Sequence, residues 1–224
     1  MSRMTDPSPH RFRRHPRSPD TGAPRFLWVI VGVIAVIELA LGLSESGYLG
    51  SSNWRWPAFA VGAFWEPIFS GGMGPLYPGQ QLLMFVSHAF LHGGFMHAAL
   101  NSVILLALGK FVAQRIGTLR SLLVLLLSAI GGGLAFGMIA SSNAPMIGAS
   151  GAVFGLIGVW QSWDLEMRRT AGVTLRPVFM AILGLAVANI VFFALLGGGL
   201  AWQAHLGGWL VGFLLAPYLD RRIA

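Results

Sequence analysis

Cysteine is absent from this 224-residue chain. A disulfide framework, a thiolate metal site and a cysteine nucleophile are excluded with it. Charge is also scarce: Asp, Glu, Lys and Arg make up 10% of the residues against 55% hydrophobic, and the mean hydropathy is +0.68. A soluble domain carries about 25% charged residues, so the solvent of this chain is a bilayer. Acid is scarcer than base, with eight carboxylates to fifteen Lys and Arg and a net charge of +7. In a soluble protein that excess would point to nucleic acid. Here the basic residues flank apolar runs and report orientation, so no nucleic-acid partner is expected. The shortage of acid removes two further classes. A proton or metal transporter lacks its chain of intramembrane carboxylates, and the His-Glu-x-x-His motif of membrane metalloproteases does not occur.

What is present is apolar sequence in long blocks. Residues 1–25 are the exception. Rich in Arg, Pro and Ser, with Arg3, Arg11, Arg13, Arg14, Arg17 and Arg25, they predict a disordered basic tail. An organelle transit peptide is the rival reading, weakened by the prolines and two aspartates. Phe26 to Leu43 is long enough to span a bilayer and carries Glu38 towards its far end. A carboxylate inside a span is a functional candidate, but a group near the interface bonded to a loop is the preferred reading. Residues 44–95 form a long outer loop dense in aromatics, suited to the headgroup region, with a short interfacial helix expected over Trp56 to Phe69. Five more apolar runs follow: Met96 to Ala113, Ser121 to Ala140, Ser150 to Trp163, Val178 to Leu196 and Ala204 to Leu219. The chain therefore reads as an all-α membrane protein, with six transmembrane helices in one domain over 26–219 and a short tail over 220–224. Apart from Arg55, every Lys and Arg falls in the N-terminal tail, at the inner end of span two (Lys110) or in the connections after spans two, four and six. The positive-inside rule then puts both termini in the cytoplasm.

That threading brings scattered polar residues to one depth. Spans two, four and six all run inward, so His97 and Asn101, Ser150, and His205 open three helices near the outer face. Ser150 stands in Gly148-Ala149-Ser150-Gly151, where small neighbours at a helix mouth expose a hydroxyl and let other backbone come close. Helix packing alone explains many serines of this kind; the shared depth is what sets this one apart. Span four, read as fourteen residues, is about 21 Å long against a hydrocarbon core of about 30 Å. Ser150 is therefore expected roughly 10 Å below the outer surface, on the floor of a water-filled cavity. Within the helices, His97 and Asn101 share a face, and Phe154 lies one turn below Ser150. The stripes Gly151/Gly155 and His205/Gly208/Gly212 let spans four and six approach closely.

Three segments carry a resemblance. They are His88-Ala-Phe-Leu-His92-Gly-Gly-Phe-Met-His97-Ala-Ala-Leu-Asn101, then Gly148-Ala149-Ser150-Gly151, then Ala204-His205-Leu-Gly-Gly208-Trp-Leu-Val-Gly212. In this order and on these spans they closely resemble the rhomboid intramembrane serine proteases. The resemblance implies a six-helix core that cuts transmembrane proteins with a Ser-His dyad, using no cofactor and no metal. At matching positions Ser150 is the nucleophile and His205 the general base, while His97 and Asn101 join the Ser150 backbone N–H on the oxyanion. Gly148, Gly151, Phe154, Gly208 and Gly212 support them, and His92 stands between a structural and an oxyanion-side role. Phe154 occupies a place where some members have Tyr and is expected to pack under His205. One departure is plain. Rhomboids commonly carry a Trp-Arg pair shortly before the first of the three histidines, and here that region reads Gln80-Gln81-Leu82-Leu83-Met84-Phe85. How that loop is anchored is thereby left open.

The residue types suit the chemistry. Serine is a poor nucleophile until a base takes its proton, and histidine titrates where that task is done. The acids expected on the outer side are Glu38, Glu45 and Glu66, none of them an evident third member, so a dyad oriented by Phe154 is the reading. His88 reads as a loop histidine bonded to backbone or headgroups. Zinc at His88, His92 and His97 lacks a carboxylate to complete it. Two function classes stand: a serine protease acting on transmembrane proteins, and a silent relative that binds transmembrane helices without cutting them. Silent relatives usually lack the Ser or the His, and this chain keeps both. The membrane is read as the bacterial inner membrane, with the mitochondrial inner membrane as the alternative. Nothing in the sequence sets an oligomeric state. Span five runs into the flexible Gly197-Gly198-Gly199, so substrate entry is expected beside it with Phe192 and Phe193 closing the seam, and the resemblance implies that the seam faces span two.

Overall fold

The computed structural model describes residues 22–50 and 53–220. Most of the expected tail 1–25, and the tail 220–224 beyond Asp220, lie outside the described residues. Among those residues every regular element is a helix. The long helices are α1 (Arg25–Glu45), α5 (Phe95–Ile116), α6 (Thr118–Ile139), α7 (Ser150–Thr170), α8 (Arg176–Leu195) and α9 (Trp202–Leu219). Between α1 and α5 lie α2 (Arg55–Gly62), α3 (Glu66–Ser70), α4 (Gln80–Ser87) and a 3₁₀ turn at His88–Phe90. Pro24 sits just before α1 and Pro177 in the first turn of α8, where a missing N–H costs no intrahelical bond.

By length and composition, α1, α5, α6 and α8 are each able to cross a membrane. The other two expected spans fall short of that standard, for two reasons. α9 opens on Gln203 and His205 and is diluted by Gly207, Gly208 and Gly212. α7 does not end at Trp163 as its apolar run does; it continues through Asp164, Glu166, Arg168 and Arg169 to Thr170. At 21 residues it is about 31 Å long, so a short span four no longer supplies the depth of Ser150.

α7 and α9 form the centre together with α6. Their backbones meet through glycine: a methyl group at Gly208 would collide with the Gly151 carbonyl, and one at Gly212 with the Gly155 carbonyl. On α6, a methyl group at Gly132 would stand 2.9 Å from the carbonyl oxygen of Ala204. Leu156, Val159, Trp163, Val124 and Ala216 fill the space around this contact. α8 is the opposite case. Only Val178 of its residues is buried, and its large apolar side chains point outwards.

The loop between α1 and α5 departs from expectation. Instead of one interfacial helix over Trp56 to Phe69 it forms α2 and α3, broken by extended backbone at Ala63 and Trp65. Phe64 pairs there with Met146 in an isolated antiparallel bridge. Trp54 and Trp56 are exposed, as headgroup-facing rings would be, but Phe64 is fully buried. Phe64, Phe69 and Phe85 pack where Gly133 and Gly137 hollow the side of α6. The last carbonyls of α2 are bonded by side chains, Phe59 O in addition to its bond from the Ala63 N–H. Trp65 Nε1 donates to Phe59 O at 2.9 Å, Gln80 Nε2 to Ala60 O at 2.7 Å, Tyr77 Oη to Val61 O at 2.8 Å and Ser87 Oγ to Gly62 O at 2.7 Å. Gln80, fully buried, also accepts from the Leu76 N–H at 2.7 Å. With Tyr77 and Ser87, this amide anchors the region that lacks the Trp-Arg pair.

Candidate active site

The turn ahead of α7 dictates the local geometry. Gly148 has φ +112°, which an L side chain rarely adopts, and a methyl group there would stand 2.8 Å from His97 Nε2. Its N–H donates to His88 O at 2.9 Å, and the Ala149 N–H points at His92 Nε2 at 3.4 Å. With the Phe64–Met146 bridge, these contacts fasten the residues before Ser150 to the long loop. Ser150 is then the first residue of α7, beside N–H groups that have no intrahelical partner. Its hydroxyl, half-buried, makes no hydrogen bond to a described residue.

His205 lies in the first turn of α9 and is buried. Its ring stacks on Phe154 with centroids 4.0 Å apart and planes 10° apart, the packing that the resemblance implies. Nδ1 is 2.6 Å from Asn189 Oδ1 on α8, and Asn189 Nδ2 donates to Leu185 O at 2.9 Å. His205 Nε2 has no hydrogen-bond partner among the described residues. Beside the ring is a largely apolar cavity of about 440 Å³, lined in part by Phe154, Asn189, Phe193, Trp202 and Trp209.

His97 and Asn101 close the site from α5. Asn101 is buried and donates Nδ2 to His97 O at 3.2 Å, and both side chains face the Gly148 turn. The His92 ring meets that of His97 edge-on at 4.9 Å. His88 and His92 are both fully buried, and burial pushes each down to about 4, with the neighbouring His97 adding to the effect at His92. His88 Nε2 lies 3.4 Å from Ala129 O, so it bonds backbone inside the protein and not headgroups. Among the described residues, no three His or acidic side chains are arranged to hold a metal ion.

The structure thus gathers His92, His97, Asn101 and Gly148 around the start of α7, and sets His205, Phe154 and Gly208 on its other flank. Glu38 is elsewhere. It forms a two-pronged ion pair with Arg55 at 2.9 and 3.0 Å, and Arg55 also donates to Glu45 and to His92 O. Both glutamates hold the Arg55 guanidinium well above its ordinary value, Glu45 most strongly. Arg55 therefore ties α1 to the loop that carries His92. Asn189 is the residue that motif spacing missed. Its one signal was being the only polar side chain in the run Val178 to Leu196. Phe193 lines the cavity beside α9, so the expected plug against span two is not where this side chain lies.

The chain is similar to known proteins. The Rhomboid domain profile matches residues 79–222. The chain is 31% identical over 205 residues to the Rhomboid-like protease 3 of Toxoplasma gondii, covering 88% of this chain and 70% of that protein. It is 34% identical over 146 residues to the Rhomboid protease GlpG of Yersinia pestis (strain Pestoides F), covering 64% of this chain and 50% of the relative. With the RHOMBOID-like protein 4 of Arabidopsis thaliana the identity is 32% over 143 residues, covering 61% of this chain and 34% of the relative. The match thus spans half or less of the latter two proteins.

Proposed function

This chain belongs to the rhomboid family, and on that premise we propose that it is a serine endopeptidase that cuts transmembrane proteins in or near their membrane-spanning segment. It is an integral membrane protein. In our reading six helices over 26–219 cross the bilayer, both termini are cytoplasmic and the site opens to the outer face. The bacterial inner membrane is the proposed location.

One observation carries the assignment: a buried histidine held between an aromatic ring and an amide beside the helix that Ser150 opens. Ser150 Oγ attacks the scissile carbonyl while His205 Nε2 takes its proton, a step that needs the two atoms within about 2.6–3.2 Å. The tetrahedral oxyanion is met by the Ser150 N–H, by Asn101 and by His97, with the positive end of the α7 dipole at the same place. His205 then returns the proton to the leaving amine, and water, deprotonated by the same imidazole, releases the acyl group from Ser150. The stacked, amide-bonded ring of His205 beside the start of α7 supports this cycle.

A serine-directed fluorophosphonate tests it on the purified full chain. Labelling is expected on Ser150, and both labelling and cleavage of a transmembrane substrate are expected to vanish in Ser150→Ala and His205→Ala. Proteolysis that survives Ser150→Ala removes the nucleophile.

A further inference from the structure

Asn189 Nδ2 donates to the carbonyl of Leu185. A carbonyl only accepts, so the amide nitrogen is the end that faces it and the amide oxygen is the end that faces His205. That oxygen also only accepts. The 2.6 Å contact to His205 Nδ1 is therefore a hydrogen bond only when Nδ1 carries the proton. A neutral imidazole has one N–H, so Nε2 is left with its lone pair. Two acceptors in series, Leu185 O and Asn189 Oδ1, thus select the tautomer that a general base requires.

We infer that Asn189 is a positioning residue for His205: it fixes the Nδ1–H tautomer and holds the ring on Phe154, so that Nε2 is the nitrogen that receives the Ser150 proton. The inference rests on the reading of His205 as the base. Once Nε2 is protonated, the same Nδ1–H donates from a cation, and its bond to Asn189 strengthens as the transition state forms. The contact also couples α8 to the chemistry. Among the described residues it is the only side-chain hydrogen bond from α8 to another element, and α8 is otherwise almost wholly exposed. Movement of α8 across the neighbouring cavity withdraws the acceptor from Nδ1. The base is then set only while α8 is docked.

The test uses the full chain in detergent, with ¹⁵N-labelled histidine and the His205 signals assigned by their loss in His205→Gln. A pyrrole-type Nδ1 and a pyridine-type Nε2 are expected in the native protein and equally in Ser150→Ala. In Asn189→Leu the two signals average towards a tautomer mixture. With a cleavable substrate, Asn189→Leu lowers kcat by about 10- to 100-fold, within the range of general-base assistance, and leaves KM within about twofold. Asn189→Asp keeps the acceptor oxygen and recovers most of that loss. An Nε2–H tautomer in the native protein overturns the inference, and so does an unchanged kcat or a change confined to KM. Because the tautomer is also read in Ser150→Ala, it is decided apart from hydrolysis. A native protein that cuts nothing sinks the protease reading and leaves the spectrum to judge Asn189.

Discussion

Asn101 spends one amide N–H on the carbonyl of His97, four residues back on the same helix, and keeps the other. That division suits a donor whose partner exists only during reaction. Asn101→Ala is expected to lower kcat by about 10²–10³-fold with little change in KM, the usual size for loss of one oxyanion donor. A pure KM effect in steady-state assays would make Asn101 a substrate contact. A second residue-scale expectation concerns pH. His88 and His92 titrate near 4 when folded and near their ordinary 6.5 when unfolded. Between those values the unfolded chain binds more protons, so their contribution to stability is complete above about 6.5 and is lost as pH falls through 4. The thermal midpoint in detergent should fall between pH 7 and pH 4.5, and His88→Gln should flatten that slope. An equally steep slope in the variant would place the titration elsewhere. What could be read at this scale follows from spacing. Phe154 below Ser150, and Asn101 beside His97, are neighbours within one helix and are written in the sequence. Asn189 meets His205 across two helices, and a lone asparagine carries no spacing to announce its partner.

Elements were legible as apolar lengths and illegible where polarity served another purpose. The glycine stripes of α7 and α9 were readable and do meet, because backbone contact demands the missing side chain. The end of α7 was not, since its charged last turns look like a loop to any hydropathy argument. Nor were α2 to α4: aromatic density suggests headgroups, yet Phe64 and Phe69 fill space that Gly133 and Gly137 vacate on another helix. The stripes give a controlled comparison. A methyl group at Gly208 meets the Gly151 carbonyl, which cannot swing aside, whereas one at Gly184 on α8 meets nothing within 4 Å. Overpacking costs about 1–3 kcal/mol, so Gly208→Ala should lower Tm by roughly 5–10 °C. Gly184→Ala should leave Tm unchanged or raise it slightly through helix propensity. Equal midpoints for the two variants would mean that α7 and α9 do not touch through their backbones.

Across the whole molecule the usual order of polarity is inverted. The most buried long helix, α7, is the least apolar, while α8, nearly all exposed, is among the most apolar. A bilayer makes sense of that order, because hydrocarbon accepts exposed Phe179, Leu183 and Ile190 but not an unpaired Asn or His. In the proposed reading the site lies among the central helices and opens to water at one end, and the basic residues indicate which end. Arg168, Arg169 and Arg176 flank the α7–α8 connection, whereas the α8–α9 connection holds only Leu196, Gly197, Gly198, Gly199, Leu200 and Ala201. In the proposed topology the positive-inside rule puts the first in the cytoplasm and the second outside, beside His205. The chain has no cysteine, so single substitutions report without background. In intact bacterial cells with a permeabilised outer envelope, a membrane-impermeant maleimide should label Gly199→Cys and not Thr174→Cys. Lysing the inner membrane should expose both. Labelling of Thr174→Cys alone in intact cells would turn the molecule over and open the site to the cytoplasm, and the substrates would then have to be cut from that side.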